Sequence, residues 1–523
     1  MRAVPAILAA LALAAATHAD SKTLRWASQG DIVTMDPHAQ NEGFTNAYLD
    51  SIYETLVTRG KELKVEPCLA TSWATVNATT TRFKLRPNVK FHEGEPLTAD
   101  DVVFSIQRAL EDTSNFKPYL AGVKEAKKVD DLTVDIVTEG PAPVLVPQLT
   151  EVRIMSKSWS LKHNVAKPQD FKALEETYAS RNTNGTGAYI LKSRQADVKT
   201  VAVLNPNWWG KLEGNVDEMV YTPIKSDSTR MAALLSGEID FVLDPPPQDI
   251  PRLKQDPGLK VLEGMENRAI FLGMDQYRDE LLYSSVKGKN PFKDLRVRQA
   301  FQLALDLNAI KTQVMRGLSV PTAVMYAPQV DGYPKELDVV KPPDRERAKK
   351  LLAEAGYPQG FEVTLDCPNN RYVNDEKICV AVAGMLAQVN VNVRVATLPR
   401  AQYFPKIQNY DTSFYMLGWG VPTFDSQYAL QSLVRTVIPK TADGDYNFGH
   451  YSNAKVDEAI DKLKTEVDGR KRAALALEAS RIHQQEVGHL PLHFQVIPWA
   501  MRSNVSVVHR ADNRLTVKWV KIN

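Results

Sequence analysis

Residues 360–395 of this 523-residue chain read GFEVTLDCPNNRYVNDEKICVAVAGMLAQVNVNVRV. Apolar and polar residues alternate through 361–365 and again through 391–395, which is the period of a β-strand. An apolar segment over 381–387 predicts a helix between them. A strand, a helix and a second strand in this order predict a parallel β–α–β unit, which places the chain in the α/β class.

Segments on either side show the same mixture of elements. Residues 81–86 alternate as a strand does, and Thr98 followed by Asp101 is typical of a helix N-terminus. Asp344 precedes another helical pattern, and Ser452 is the predicted cap of a third helix. The α/β prediction therefore extends over the chain. With domains of roughly 150 residues, we expect more than one hydrophobic core or one large composite architecture.

The composition excludes several classes of protein. Hydrophobic residues make up 44% and charged residues 24% of the chain, which are values of a globular protein and not of a disordered one. Lys and Arg number 64 against 62 Asp and Glu, a net charge of +2, so the basic surplus typical of nucleic-acid binding is missing. The 3 cysteines are too few for a disulfide framework.

The N-terminus has the pattern of a secretory signal peptide. Arg2 precedes an apolar stretch, 3–16, that is too short to span a membrane as a helix. Thr17 and Ala19 offer small residues at the two positions that a signal peptidase reads, which predicts cleavage before Asp20. The alternative is a buried N-terminal helix. We predict a signal peptide over 1–19 and an exported mature protein. No other stretch is apolar enough to insert into the membrane. No cysteine directly follows the apolar stretch, so a lipid anchor is not expected either.

A series of short motifs runs along nearly the whole mature chain. In order, they are DIVTMDP at 31–37, IYETL at 52–56, PCLATSW at 67–73, FKLR at 83–86, VKFHEG at 89–94, TADDV at 98–102, NGTGAY at 184–189, SGEID at 236–240 and RVRQAF at 296–301. Together and in this order they resemble the family 5 extracytoplasmic solute-binding proteins of ABC importers, whose best-known members bind dipeptides and oligopeptides. One departure is Ala188, where the family has proline.

The resemblance implies a two-lobed, type II periplasmic binding protein fold with an extra inserted subdomain and a ligand cleft between the lobes. Two crossover strands, near 268–272 and 494–496, would form the hinge. The implied domains, in chain order, are the signal peptide 1–19, lobe I 20–62, the inserted subdomain 63–184, lobe I again 185–276, lobe II 277–496 and the C-terminal part of lobe I 497–523.

The resemblance also implies a function. It predicts a monomeric periplasmic substrate-binding protein of a Gram-negative bacterium, which captures a peptide or peptide-like solute by hinge closure and delivers it to the transmembrane subunits of an ABC importer. No catalysis, cofactor or metal is expected. Within the family, the solute could instead be a metal chelate, an opine, glutathione, haem or an oligosaccharide. The alternatives outside it are an adhesion or chaperone module and a secreted hydrolase, which the lack of a recognisable nucleophile–base pair disfavours.

Arg371 and its neighbour Tyr372 lie in a loop that begins at Pro368, and both are candidate ligand-binding residues. In dipeptide-binding members, an arginine after a similar proline clamps the terminal carboxylate of the ligand, so the resemblance implies this role for Arg371. A guanidinium suits a carboxylate because its planar fork donates two parallel hydrogen bonds. The alternative is a loop arginine that is paired with Asp375 or Glu376.

Trp419 belongs to a Gly-Trp pair that is similar to a cleft-facing strand end of the family. Its indole either stacks on the ligand or belongs to the core of the lobe. The amine-anchoring aspartate of the peptide binders comes three residues after this tryptophan, where the present chain has Pro422, which carries neither charge nor donor. Asp425 is the candidate replacement. The departure favours a solute without a free α-ammonium, or one that is held differently.

The first lobe is predicted to contribute a loop after its opening strand. Asn41 and Phe44 in this loop, together with Tyr119 of the inserted subdomain, are candidate ligand contacts. Glu42 is a candidate partner for a cation, and Gly43 would allow close approach of the backbone. The alternative for each is an ordinary exposed loop residue.

Histidine and cysteine spacing bears on metals and disulfides. His483 and His489 lie six positions apart, whereas a helical zinc pair needs four, so we predict no metal site. No phosphate loop or dinucleotide fingerprint is present, and no cofactor is predicted. Cys367 and Cys379 flank the loop of the candidate clamp, and the sequence leaves open whether they form a disulfide. With that bridge, Cys68 would be left over and buried.

Overall fold

The computed structural model describes residues 22–523, so the predicted signal peptide over 1–19 lies outside the described residues. No helix within the described residues is both long enough and apolar enough to cross a membrane. Helices and strands alternate irregularly along the chain, and a mixed α/β architecture results, as the sequence predicts.

The bounds of the regular elements are as follows. The strands are β1 Thr23–Ser28, β2 Val57–Arg59, β3 Val65–Pro67, β4 Ala70–Asn77, β5 Thr80–Leu85, β6 Val123–Asp130, β7 Thr133–Thr138, β8 Tyr189–Gln195, β9 Lys199–Leu204, β10 Glu218–Pro223, β11 Phe241–Leu243, β12 Leu259–Met274, β13 Ser319–Pro321, β14 Glu362–Pro368, β15 Asn392–Leu398, β16 Phe414–Gly420, β17 His489–Arg502, β18 Val505–Ser506 and β19 Lys521–Ile522. The α-helices are α1 Gly43–Leu49, α2 Ala99–Ala109, α3 Leu145–Gln148, α4 Lys157–Lys162, α5 Asp227–Ser236, α6 Ile250–Gln255, α7 Leu295–Ala304, α8 Leu307–Ala309, α9 Arg345–Glu354, α10 Asp375–Ala387, α11 Arg400–Gln408, α12 Ser426–Ala429, α13 Ala454–Thr465 and α14 Gly469–Gln485.

The β–α–β unit predicted from residues 360–395 is confirmed. β14 pairs in parallel with β15, with Glu362 opposite Asn392, and α10 connects the two strands. The helix begins at Asp375, earlier than the apolar segment alone indicated. Two acidic residues in its first turn complement the helix dipole there.

One large sheet runs through both halves of the molecule in the order β15-β14-β16-β12-β17-β11-β1-β10-β9-β8, and β13 pairs with β17. Its central strands β12 and β17 are antiparallel partners of 16 and 14 residues. They include the two segments predicted as the hinge and carry the chain between the halves of the sheet. We call residues 22–258 and 503–523 the first lobe, and residues 275–488 the second lobe.

A separate four-stranded sheet, β4-β5-β7-β6, lies within the stretch predicted as an inserted subdomain. α2 packs against this sheet and begins with the predicted capping box, in which the Thr98 N–H donates to Asp101 Oδ2 over 2.9 Å. The sheet spans residues 70–138, inside the predicted limits of 63–184. The exact domain boundaries stay predictions.

The helices of the second lobe bury their apolar faces in its core. Val297 and Phe301 of α7 are fully buried, and burial of each such side chain stabilises the fold by about 1.5–3 kcal/mol. Asp344 caps α9 as predicted. The prediction of Ser452 as a cap is wrong: Asn453 directly precedes α13, and its side chain accepts the first free backbone N–H groups.

Candidate ligand-binding site

A cavity of about 70 Å³ lies between the two lobes. Residues 40–43 of the first lobe face residues 371–372 and 417–420 of the second lobe, and residues 267–268 of the central strand β12 also line the wall. Concave sites between two lobes are where small ligands usually bind. Guanidinium groups and aromatic rings are prominent in this wall.

Arg371 lies in the loop between β14 and α10. One carboxylate binds the backbone of this residue, and a different carboxylate binds its side chain. Its backbone N–H donates to Asp375 over 2.8 Å, and the N–H of Tyr372 does so over 3.0 Å. The side chain turns away from Asp375, and its Nε lies 2.6 Å from Oε1 of Glu42 in the first lobe. Asp375 therefore shapes the loop through its backbone and leaves the guanidinium at the cavity.

Glu42 is fully buried and faces two arginines of the second lobe. Besides its contact with Arg371, Oε1 lies 3.5 Å from Nη1 of Arg400. The Glu42 carboxylate also accepts the N–H groups of Phe44 and Thr45, at the start of α1. Burial raises the pKa of this carboxyl, but Arg371 and Arg400 outweigh burial and lower the pKa to about 2. Glu42 thus shares its one carboxylate between two guanidinium groups of the second lobe.

Arg400, the first residue of α11, is a residue that the sequence analysis missed. It is buried, and its guanidinium carbon lies 4.6 Å from the ring centre of Phe44. Its Nε and Nη2 have no hydrogen-bond partner within residues 22–523. A signal did exist, because Arg400 follows β15 as Arg371 follows β14. The carboxyl ends of neighbouring parallel strands meet at one edge of a sheet, where ligands commonly bind.

Arg268 of β12 was also missed, because the sequence analysis treated its segment only as a hinge. Nε of Arg268 donates to Glu266 over 2.8 Å, and Nη1 donates to the Gly418 carbonyl over 3.1 Å. A Cβ atom built on Gly43 would lie 3.1 Å from Nη2 of both Arg268 and Arg371. Both guanidinium groups thus approach one point on the backbone, which is the close approach expected at this glycine.

Aromatic rings form another part of the wall. Trp419 in β16 is 6% exposed, stacks on Tyr428 with ring centres 5.1 Å apart, and has an Nε1 without a hydrogen-bond partner in the described part of the chain. Tyr428 stacks in turn on Tyr119 at 4.8 Å and donates to its hydroxyl over 2.8 Å. Asn41 donates to the Tyr428 hydroxyl over 2.9 Å. Asn41 and Tyr119 of the first lobe therefore meet the second lobe here, and Trp419 serves as both core and wall.

The remaining candidates divide between the wall and its surroundings. Tyr372 lines the cavity, and its hydroxyl accepts the Gly418 N–H over 2.8 Å. Phe44 lies behind the wall and packs among other rings. Asp425 also lies outside the wall: it caps α12, and its two oxygens are 2.8 and 2.9 Å from Nη2 of Arg472. Because this carboxylate is already paired, the arrangement gives no support to Asp425 as an amine anchor.

A disulfide joins Cys367 to Cys379, with Cα atoms 6.7 Å apart, and answers the question that the sequence left open. The bridge links the end of β14 to α10 across the loop that carries Arg371. Within the same loop, burial raises the pKa of the Asp375 carboxyl to about 7. Cys68 is free and buried, as expected with that pairing.

Comparison with known proteins identifies relatives along most of the chain. The family model described as "Bacterial extracellular solute-binding proteins, family 5 Middle" matches residues 64–438. Heme-binding protein A of Haemophilus influenzae is 26% identical, over 86% of this chain and 83% of that protein. The periplasmic oligopeptide-binding protein OppA of Salmonella typhimurium is 26% identical, over 91% of this chain and 88% of that protein.

A solved structure matches the fold over almost its whole length. It is the ABC transporter-associated periplasmic binding protein DppA from Helicobacter pylori in complex with the peptide STSA. The TM-score is 0.83 at 23% sequence identity, and the match covers 96% of this chain and 98% of that chain. The predicted two-lobed α/β fold and the resemblance drawn from the sequence motifs are thereby confirmed.

Proposed function

Because the chain belongs to family 5 of the bacterial extracellular solute-binding proteins, we propose that it captures a carboxylate-bearing, peptide-like solute in the periplasm. It acts as a monomer and delivers the solute, chemically unchanged, to the transmembrane subunits of an ABC importer. The observation that carries this proposal is that Nη2 of Arg268 and Nη2 of Arg371 converge beside Gly43 in the chamber wall.

Two guanidinium groups that converge in the wall favour an anionic group in the chamber. Arg268 and Arg371 direct Nη2 atoms toward the same point beside Gly43. A carboxylate placed there would accept charge-assisted hydrogen bonds, each contributing about 1.5–3 kcal/mol. The ring of Trp419 offers apolar contact to the rest of the solute.

The two acidic side chains of the chamber wall are already paired with arginines, so neither is free to bind an amino group of the solute. Glu42 is shared by two arginines, and Asp512 lies 2.6 Å from Nη2 of Arg510. Pro422 also lines the wall and offers no charge and no N–H group. We therefore propose a solute without a free α-ammonium, such as a peptide with a blocked amino terminus.

Solute binding is coupled to closure of the lobes around β12 and β17. A solute that contacts both lobes binds the closed form better than the open form and shifts the population toward it. The importer then distinguishes the loaded protein from the empty one by its shape.

A non-peptide carboxylate is the second candidate, and the solute of one named relative favours it. Among the named relatives, one is a haem binder and another an oligopeptide binder. Haem and peptides differ in shape but share carboxylate groups, which are the groups that the Arg268 and Arg371 guanidiniums would recognise.

The solute class is tested by native mass spectrometry of the purified protein, followed by denaturing release and identification of the bound compound. Calorimetry with that compound then compares the wild type with Arg371→Met. We expect at least about tenfold weaker binding, because charge-assisted hydrogen bonds are lost. Arg296→Met is the control, since Arg296 pairs with Asp294 away from the chamber. A bound compound without a carboxylate, or an unchanged affinity of Arg371→Met, would contradict the proposal.

A further inference from the structure

Arg59 of the first lobe reaches the backbone of the second lobe. Its Nε donates to the Pro422 carbonyl over 2.7 Å, and Nη2 donates to the Thr423 carbonyl over 2.8 Å. Nη1 donates to the Leu63 carbonyl of its own lobe over 2.7 Å. All three guanidinium nitrogens thus have carbonyl acceptors, and two of the three hydrogen bonds cross between the lobes.

The accepting segment is a tight turn over residues 421–424. The Phe424 N–H donates to the Val421 carbonyl over 2.9 Å, and Phe424 has a φ of 56°, a region that bulky residues seldom occupy. Such a conformation persists where its surroundings hold it. Arg59 contacts this turn twice over, because its guanidinium carbon also lies 4.8 Å from the Phe424 ring centre.

Two of the Arg59 hydrogen bonds can form only when the lobes are closed. Burial lowers the pKa of Arg59 to about 10, so the guanidinium remains protonated at neutral pH. Its hydrogen bonds go to carbonyl dipoles. Separation of the lobes would break the bonds to Pro422 and Thr423, so these contacts stabilise the closed form and not the open one.

We propose that Arg59 is a closure residue, which binds the second lobe from the first and stabilises the closed form independently of the solute. The inference goes beyond the proposed function, because it rests on the two-lobed architecture and not on what is bound. Pro422 lines both the chamber and the adjoining pocket that Arg59 lines. Arg59 therefore also places a positive charge behind this end of the chamber.

The test measures the separation of the lobes in protein from which co-purified solute has been removed by unfolding and refolding. Spin labels are attached through Val198→Cys in the first lobe and Val339→Cys in the second, both exposed positions. Native cysteines do not interfere, since Cys68 is buried and the other two are bridged. In Arg59→Met, we expect the population at longer distances to rise about threefold or more, because charge-assisted hydrogen bonds are lost. Arg59→Lys keeps the charge but loses the planar guanidinium. Its population at longer distances should lie between those of the wild type and Arg59→Met.

Arg86→Met is the matched control. Arg86 Nε also donates to a carbonyl, that of Cys68, over 3.1 Å, and its guanidinium carbon lies 4.0 Å from the Trp209 ring, all within the first lobe. It should keep the wild-type distances. Wild-type distances in both Arg59 variants, or equal opening in Arg86→Met, would overturn the inference. Because no solute enters the measurement, an error in the proposed solute class would leave this result unaffected.

Discussion

Two segments of the second lobe border the same chamber and are held in different ways. The loop over 368–375 is fixed within its own lobe, by a disulfide across its ends and by the Asp375 carboxylate on its backbone N–H groups. The turn over 421–424 is bound across the cleft by Arg59, in addition to the Asp331 N–H of its own lobe, which donates to the Phe424 carbonyl. Opening of the lobes would break the cross-cleft contacts of the turn and none of those internal contacts of the loop.

This difference separates two requirements of a closing binding site. The disulfide and Asp375 hold the backbone of the loop whether or not the lobes are close, so little backbone ordering is needed when a solute arrives. The Arg371 guanidinium, in contrast, contacts Glu42 across the cleft. The turn completes its hydrogen bonds only when the lobes meet. We therefore expect a solute to bind first to the loop and the turn to be secured last.

The largest expected effect comes from breaking the disulfide that makes the loop rigid. Cys367 and Cys379 are 12 positions apart in sequence, and a bridge over such a loop stabilises a protein by about 3 kcal/mol in the chain-entropy account. Reductant should lower the Tm of the second lobe by about 5–10 °C, as measured by calorimetry.

The control for this experiment is the double variant Cys367→Ala/Cys379→Ala, which keeps Cys68. Its Tm should not respond to reductant, because the remaining thiol has no bridge to lose. An equal response of the variant and the wild type would show that the bridge does not stabilise the loop.

The second prediction concerns the pH dependence of the same loop. Burial raises the pKa of Asp375 to about 7, whereas an unfolded chain has an Asp pKa of about 3.9. The protonated carboxyl thus stabilises the folded state at low pH, and this stabilisation is lost as pH rises through about 7. Relative to Asp375→Asn, the wild type should lose about 2–3 kcal/mol of unfolding free energy between pH 4.5 and pH 8.

Denaturant unfolding of both proteins at the two pH values provides the measurement. Taking the difference between wild type and variant cancels the contributions of all other titrating groups, including the buried histidines. Parallel pH profiles would mean that Asp375 is ionised in the folded loop throughout this range.

The smallest expected effect concerns the end of the chamber near the turn. Pro422 offers no charge there, and Arg59 lies behind it, so an ammonium gains nothing from this end. N-acetyl-alanyl-alanine should bind about threefold more tightly than alanyl-alanine in calorimetric titrations, since the unblocked amine keeps its desolvation cost without a partner. Tighter binding of the unblocked dipeptide would show that another group anchors the amine.

The parts of the fold that could be predicted are those that local sequence patterns specify. The alternation in β14 and β15 and the cap at Thr98 depend on neighbouring residues, and the structure reproduces them. Arg371 and Trp419 were identified through short motifs at strand ends, and both line the cavity. The pairing of Asp425 with Arg472 could not be predicted, because Arg472 comes from a helix far along the chain.

The sequence by itself determined the α/β class, the family and the segments that end at the chamber, because strand periodicity, helix caps and motif order are written in consecutive residues. Only the tertiary structure decided which charges meet. Glu42 and Arg400 are 358 positions apart, and Arg59 and Pro422 are 363 apart. Electrostatic contacts act through space and depend on how the lobes pack, so no local pattern records whether an arginine meets a carboxylate, a carbonyl or a solute.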